Sequence, residues 1–159
     1  MAFLGNIIYF ITGGWAVGLL YLIGAVIFFP LLPFLLPFVM YSFAPLGKKA
    51  VSKQKINDFK KSKGEDLEED ALANASGALK FIANVVWVFT FGVLLAIVHL
   101  MAALANMLFC VLIITIPICF PNALANWRLI PVAFAPFGAK ILPIKLAEEI
   151  ELSSAASKL

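Results

Sequence analysis

The chain has 159 residues, 63% of them hydrophobic and 13% charged, with a formal net charge of +3. Soluble domains carry roughly a quarter charged residues, and at a mean hydropathy of +1.01 this chain has too little polar surface to cover a soluble fold. A soluble class is excluded, and nothing in the charge pattern indicates nucleic-acid recognition.

Residues 3–29 are apolar and uncharged. At about 1.5 Å per residue they make roughly 40 Å of helix, enough to cross about 30 Å of hydrocarbon with tilt. Met1-Ala2 offers no basic stretch and no small-residue cleavage context follows, so the segment reads as a membrane helix, not a signal peptide. Pro30, Pro33 and Pro37 then predict a bend near 30–33. Residues 34–47 are short for a full span and return obliquely or form a re-entrant arm.

Residues 48–77 are polar. Seven lysines, Lys48 to Lys63, precede Glu65, Asp66, Glu68, Glu69 and Asp70. A solvated, partly helical linker is expected, cytoplasmic by the positive-inside rule, with residues 48–70 as a candidate surface for a protein partner or for anionic headgroups.

The second long apolar segment, 78–116, carries a two-sided helix. Gly92, Ala96, His99, Ala103, Asn106 and Cys110 fall on one small, mildly polar stripe, and Leu94, Val98, Met101, Leu108 and Leu112 on the other face. Membrane helices turn bulk to lipid and pack small residues against neighbours. Pro117 and Pro121 are expected to break this helix, as the first prolines break the first. Asn122 to Phe134 is again apolar apart from Asn126 and Arg128, and Lys140 and Lys145 follow. The tail from Glu148 is polar, and IKLAEEIEL fits a short amphipathic helix. The closing Ser157-Lys158-Leu159 spells a peroxisomal address, an awkward route for a chain with four apolar segments.

The two halves match. Asn6, Tyr9, Thr12, Gly14, Gly18, Tyr21 and Leu22 align with Asn84, Trp87, Thr90, Gly92, Ala96, His99 and Leu100 at a spacing of 78 residues. Phe43-Ala44-Pro45-Leu46-Gly47 aligns with Phe134-Ala135-Pro136-Phe137-Gly138 at a spacing of 91. The expected fold is an all-α integral membrane protein of two tandem, parallel-repeat helical hairpins, about four membrane segments in all. Its parts are a membrane hairpin over 1–47, the charged linker over 48–77, a second hairpin over 78–142 and a polar tail over 143–159. Both hairpins end on a basic side, which puts both termini in the cytoplasm.

The Gly5-Asn6-Ile7-Ile8 start, Gly13-Gly14-Trp15, His99, Ile114-Thr115-Ile116-Pro117 and the Ala-Pro-Phe-Gly exit resemble the YccF family of bacterial inner membrane proteins. The resemblance covers roughly 3–49 and 80–142. It implies an inner-membrane location and two copies of an inner membrane component domain, without a settled activity. The first copy departs from the pattern in its proline-rich FFPLLPFLLPF.

The polar-face candidates are His99, Arg128, Asn106, Asn122 and Asn126. His99, the only histidine, either relays protons or bonds across a helix interface. Arg128, the only arginine, lies about twelve residues from Lys140, roughly 18 Å along a helix. That spacing puts it in the outer half of the membrane, either snorkelling to an interface or facing a polar cavity. Asn122 and Asn126, one turn apart, join Arg128 in a polar ring if several subunits surround an axis. Gly14, Gly18, Gly92 and Ala96 permit close helix packing within or between subunits.

Cys110 and Cys119 read as buried free thiols, with no disulfide framework and no metal-ligand set. No cofactor motif and no catalytic constellation appears, so no enzyme is expected. No acidic residue lies in an apolar segment, which disfavours carboxylate-driven proton coupling. Two functions follow: a homo-oligomeric channel or transport assembly for anions, or an accessory membrane subunit that binds lipid or a partner protein.

Overall fold

The computed structural model describes residues 2–67 and 77–156. Glu68, Glu69, Asp70 and Ser157-Lys158-Leu159, singled out above, lie outside the described residues. The chain is mainly helical. Helix α1 (Ala2–Tyr9) leads through a π-turn at Phe10–Gly14 into α2 (Trp15–Ile27). A 3₁₀ turn at Phe29–Leu31 precedes α3 (Leu32–Phe43), strand β1 (Lys48–Ser52) and α4 (Lys53–Lys63). The same order follows from α5 (Gly77–Trp87), a π-turn at Val88–Gly92 and α6 (Val93–Phe109) to a 3₁₀ turn at Ile113–Thr115. Then come α7 (Ile116–Phe134), β2 (Ala139–Pro143) and α8 (Ile144–Ala156).

Uncharged stretches become helices because, away from water, only a helix satisfies every backbone group internally. Among the described residues, three helical stretches are long and apolar enough to cross a membrane: Ala2–Ile27, Ala78–Phe109 and Ile113–Phe134. The fourth, Phe29–Phe43, is shorter. The first return segment is short, as expected, whereas the second is long enough to cross.

The prolines act differently from expectation. The second long helix ends at Phe109, before Pro117, and Pro117 sits in the first turn of α7. Pro33 stands likewise at the start of α3. In a first turn the missing N–H costs nothing, so proline starts these helices rather than stopping the preceding ones. Pro121 and Pro131 lie inside α7, which continues through both.

The earlier helix end changes the cysteines. Cys110 closes α6 and Cys119 lies in the first turns of α7, and the tight turn brings them together as a disulfide. The free-thiol reading is therefore corrected. Counting the segment as one helix had hidden the reversal between the two residues.

The core gathers Val17, Tyr21 and Ala25 of α2, Leu35 and Phe38 of α3, and Trp87, Leu95, Leu129 and Ala133 of the second half. On α6 the small stripe is buried (Gly92, Ala96, His99, Ala103), while Leu94, Met101 and Leu108 are exposed. The glycines pack inside the chain. A Cβ at Gly18 would meet the Phe43 ring, one at Gly14 the Tyr9 ring, and one at Gly92 would lie 2.9 Å from the Ala133 carbonyl oxygen. The small-residue face expected to join subunits is thus occupied by intrachain contacts.

The charged linker and the tail form one layer. Strand β1 pairs antiparallel with β2, with Ala50 opposite Ile141 at the centre. Val51 and Ile56 form a second small core with Ala147 and Ile150 of α8. Lys49 pairs with Glu151 at 2.6 Å and Lys63 with Glu149 at 2.8 Å. Sequence reading did not anticipate this sheet. Gly47, at φ 87°, makes the turn that directs the chain from α3 into β1.

Candidate functional site

Three of the buried polar residues, His99, Asn122 and Asn126, converge where α1, α2, α6 and α7 meet. Helices α6 and α7 pack antiparallel, so His99 reaches Asn126: Nδ1 lies 3.0 Å from Asn126 Oδ1. The Asn126 amide nitrogen donates to the Asn122 carbonyl at 3.0 Å. Its Oδ1 is therefore an acceptor, and the imidazole carries its proton on Nδ1. The Tyr9 hydroxyl donates to the same Oδ1 at 3.4 Å. The Asn122 amide donates to Thr12 Oγ1 at 3.1 Å, and that hydroxyl donates to the Ile8 carbonyl at 2.9 Å. The spacing of four between Asn122 and Asn126 stacks both on one face of α7, and the spacing of three between Tyr9 and Thr12 does the same at the start of the chain.

Tyr21 covers the cluster, its ring centre 5.9 Å from that of His99. The Tyr21 hydroxyl and His99 Nε2 are buried without a hydrogen-bond partner. His99 is completely buried, and Asn122 and Asn126 nearly so. Around them lie Tyr9, Leu95, Ala103 and Leu129, all buried. The cluster is a buried network of neutral hydrogen bonds, with His99 Nε2 and the Tyr21 hydroxyl left unpaired, linking the first helix of the chain to the last long one.

The five polar-face candidates do not meet. His99, Asn122 and Asn126 come together. Asn106 bonds back to the Ala102 carbonyl of its own helix at 2.8 Å. Arg128 stands apart, two residues beyond Asn126 and so on another face of α7. It lines a groove of about 1180 Å³ together with Lys49, Ser52, Lys55 and Glu151 of the strand–helix layer. On α7 it stands six residues from Phe134, in the half nearer the strand–helix layer, and not the roughly 18 Å from the lysines that the spacing predicts. The reckoning of 18 Å assumed a straight helix to Lys140, but α7 ends at Phe134 and strand pairing folds the lysine-rich layer back beside it. Asn122 and Asn126 are buried inside the chain while Arg128 lines the groove, so the three do not share a face of α7.

Two contacts recur between the halves. The Leu46 N–H donates to Asn6 Oδ1 at 2.8 Å, and the Phe137 N–H donates to Asn84 Oδ1 at 3.3 Å. Thr12 and Thr90 each bond back to the carbonyls three and four residues earlier, Ile8 and Tyr9 in one case, Val86 and Trp87 in the other. Tyr9, Thr12 and Tyr21 were visible in sequence only as matched positions. Lys49 and Lys55 were read only as loop charge.

Comparison with known proteins bears on the second half first. Residues 82–139 match the YccF inner membrane component domain. The inner membrane protein YccF of Escherichia coli (strain K12) is 26% identical over 150 residues, covering 90% of this chain and 88% of the relative. The protein of the same name from Shigella flexneri is equally similar. No solved structure matches the chain. Residues 82–139 are thus similar to the YccF inner membrane component domain, and most of the chain is similar to the inner membrane proteins of that name.

Proposed function

We propose that the chain is a multi-pass inner-membrane protein with an accessory, lipid- or partner-binding role, and that it does not conduct ions. The observation that carries this reading is the burial of its polar groups within one chain. His99, Asn122 and Asn126 bond to one another and to Tyr9 and Thr12 inside one chain, whereas a conduction path would present such groups to water. Arg128, the charge that suggested anion passage, lines a lateral groove under the lysine layer.

The orientation follows from two opposite ends. The lysine-rich layer favours the cytoplasmic side. The Cys110–Cys119 disulfide lies at the far tip of the α6–α7 hairpin. Disulfides persist in oxidising compartments, which favours the opposite side for that tip. The recurring asparagine and threonine contacts support an internal duplication. In liposomes the purified protein is expected to give no more ion flux than empty vesicles. A flux altered by Arg128→Ala or His99→Ala would overturn the reading and restore the channel.

A further inference from the structure

The groove beside Arg128 has two chemically distinct parts. Its mouth is cationic. Lys49 is engaged by Glu151, but among the described residues Arg128 and Lys55 have no carboxylate partner. Both are half-buried, so their charges are partly desolvated, a cost that a bound anion would offset. Its wall is apolar and open. Val93, Ile97 and Leu100 of α6 and Trp127 of α7 line it and are 38% to 57% exposed. The antiparallel pairing of α6 with α7 fixes the direction of this wall. Gly92 lies against Ala133, and His99 against Asn126. The wall therefore runs about 10 Å along the helices, seven residues from Phe134 at the strand–helix layer to Trp127, with Arg128 on the groove next to Trp127 and Lys55 on its layer side.

Two cations without a carboxylate partner among the described residues, from α7 and α4, beside an open apolar wall match the chemistry of one anionic phospholipid. Free phosphate would use the mouth and leave the wall empty. An apolar helix would use the wall and leave Arg128 and Lys55 unmatched. Because α6 and α7 belong to stretches able to cross a bilayer, lipid is also the neighbour present at the highest concentration. We propose that this groove binds one anionic glycerophospholipid, with its phosphate between Arg128 and Lys55 and an acyl chain along Val93, Ile97 and Trp127. The inference rests on the accessory membrane reading and gives it a ligand class and a site. In that position the lipid would tie α7 to α4 and β1, joining the membrane helices to the lysine-rich layer.

The test reconstitutes the full chain in nanodiscs of equal phosphatidylglycerol and phosphatidylcholine, then measures the lipids retained on release by native mass spectrometry. Wild type should retain phosphatidylglycerol preferentially at a stoichiometry near one. Arg128→Ala and Lys55→Ala should each lower that preference roughly fivefold, the scale of one interfacial cation. Lys145→Ala, which removes the same charge from exposed α8, should leave it unchanged. Arg128→Lys should keep most of it, which shows that the alanine variant fails for lack of charge rather than of fold. Millimolar inorganic phosphate should not displace the lipid. Equal retention of both lipids, displacement by phosphate, or equal losses in Arg128→Ala and Lys145→Ala would overturn the proposal. Retention is read without any flux assay, so a conductance that removed the accessory reading would be recorded separately.

Discussion

The two halves share contacts and differ in shape. Each begins with an asparagine bonded to its own Ala-Pro-X-Gly exit, and each has a threonine in a π-turn that donates back to carbonyls of the preceding helix. In the first half Gly13 sits at φ 126°, and the helix bends there. The matched position in the second half, 78 residues on, is Phe91, and the helix runs through to Phe109 with Gly92 at φ −60°. A side chain at the first position would resist that backbone, and its absence permits the bend. A second difference is chemical. Asn122 and Asn126 stand where a spacing of 91 puts Leu31 and Leu35 in the first half. One half thus supplies the asparagines, and the other supplies Tyr9 and Thr12 to meet them.

The largest effect should come from the straight half. Trp87 is 1% exposed and its indole N–H donates to the Ala133 carbonyl at 2.9 Å. Trp87→Ala is expected to lose about 3–5 kcal/mol, read as a lowered unfolding midpoint in micelles. Gly92→Val would push a side chain onto that same carbonyl and should cost about 1–3 kcal/mol. Gly13→Ala should cost about 1–2 kcal/mol from backbone conformation alone, since nothing lies within 4 Å of a Cβ there. If Gly13→Ala proved costlier than Gly92→Val, the contrast between bent and straight halves would be misassigned.

The tyrosines sharpen the comparison at smaller scale. Tyr9→Phe removes a hydrogen bond to Asn126 and should cost about 0.5–1.5 kcal/mol. Tyr21→Phe removes a buried hydroxyl with no partner and should be neutral or slightly stabilising by the same measurement. Equal losses would show that the Tyr21 hydroxyl is engaged. For the hairpin tip, a maleimide should label neither Cys110 nor Cys119 until a reductant is added.

Sequence showed the two-sided character of α6, because glycine, alanine and histidine fall on a stripe that no soluble helix would hide. It also showed Asn122 and Asn126 as a pair. It did not show the strand–helix layer. Lys48 to Ser52 looks like solvated linker until Ala139 to Pro143, 91 residues away, pairs with it. No local pattern encodes a partner that distant. The position of Arg128 was lost for the same reason. The disulfide was hidden by proline, read as a stop where the fold uses it as a start.

The central claim is that His99 and Asn126 are a structural pair inside one chain. A double-mutant cycle with His99→Leu and Asn126→Leu tests it. Each single change strands a buried partner and should cost about 1–3 kcal/mol, while the double change should cost clearly less than their sum. Losses that add to within about 0.5 kcal/mol would mean that the two side chains do not depend on each other, and would contradict the buried polar cluster.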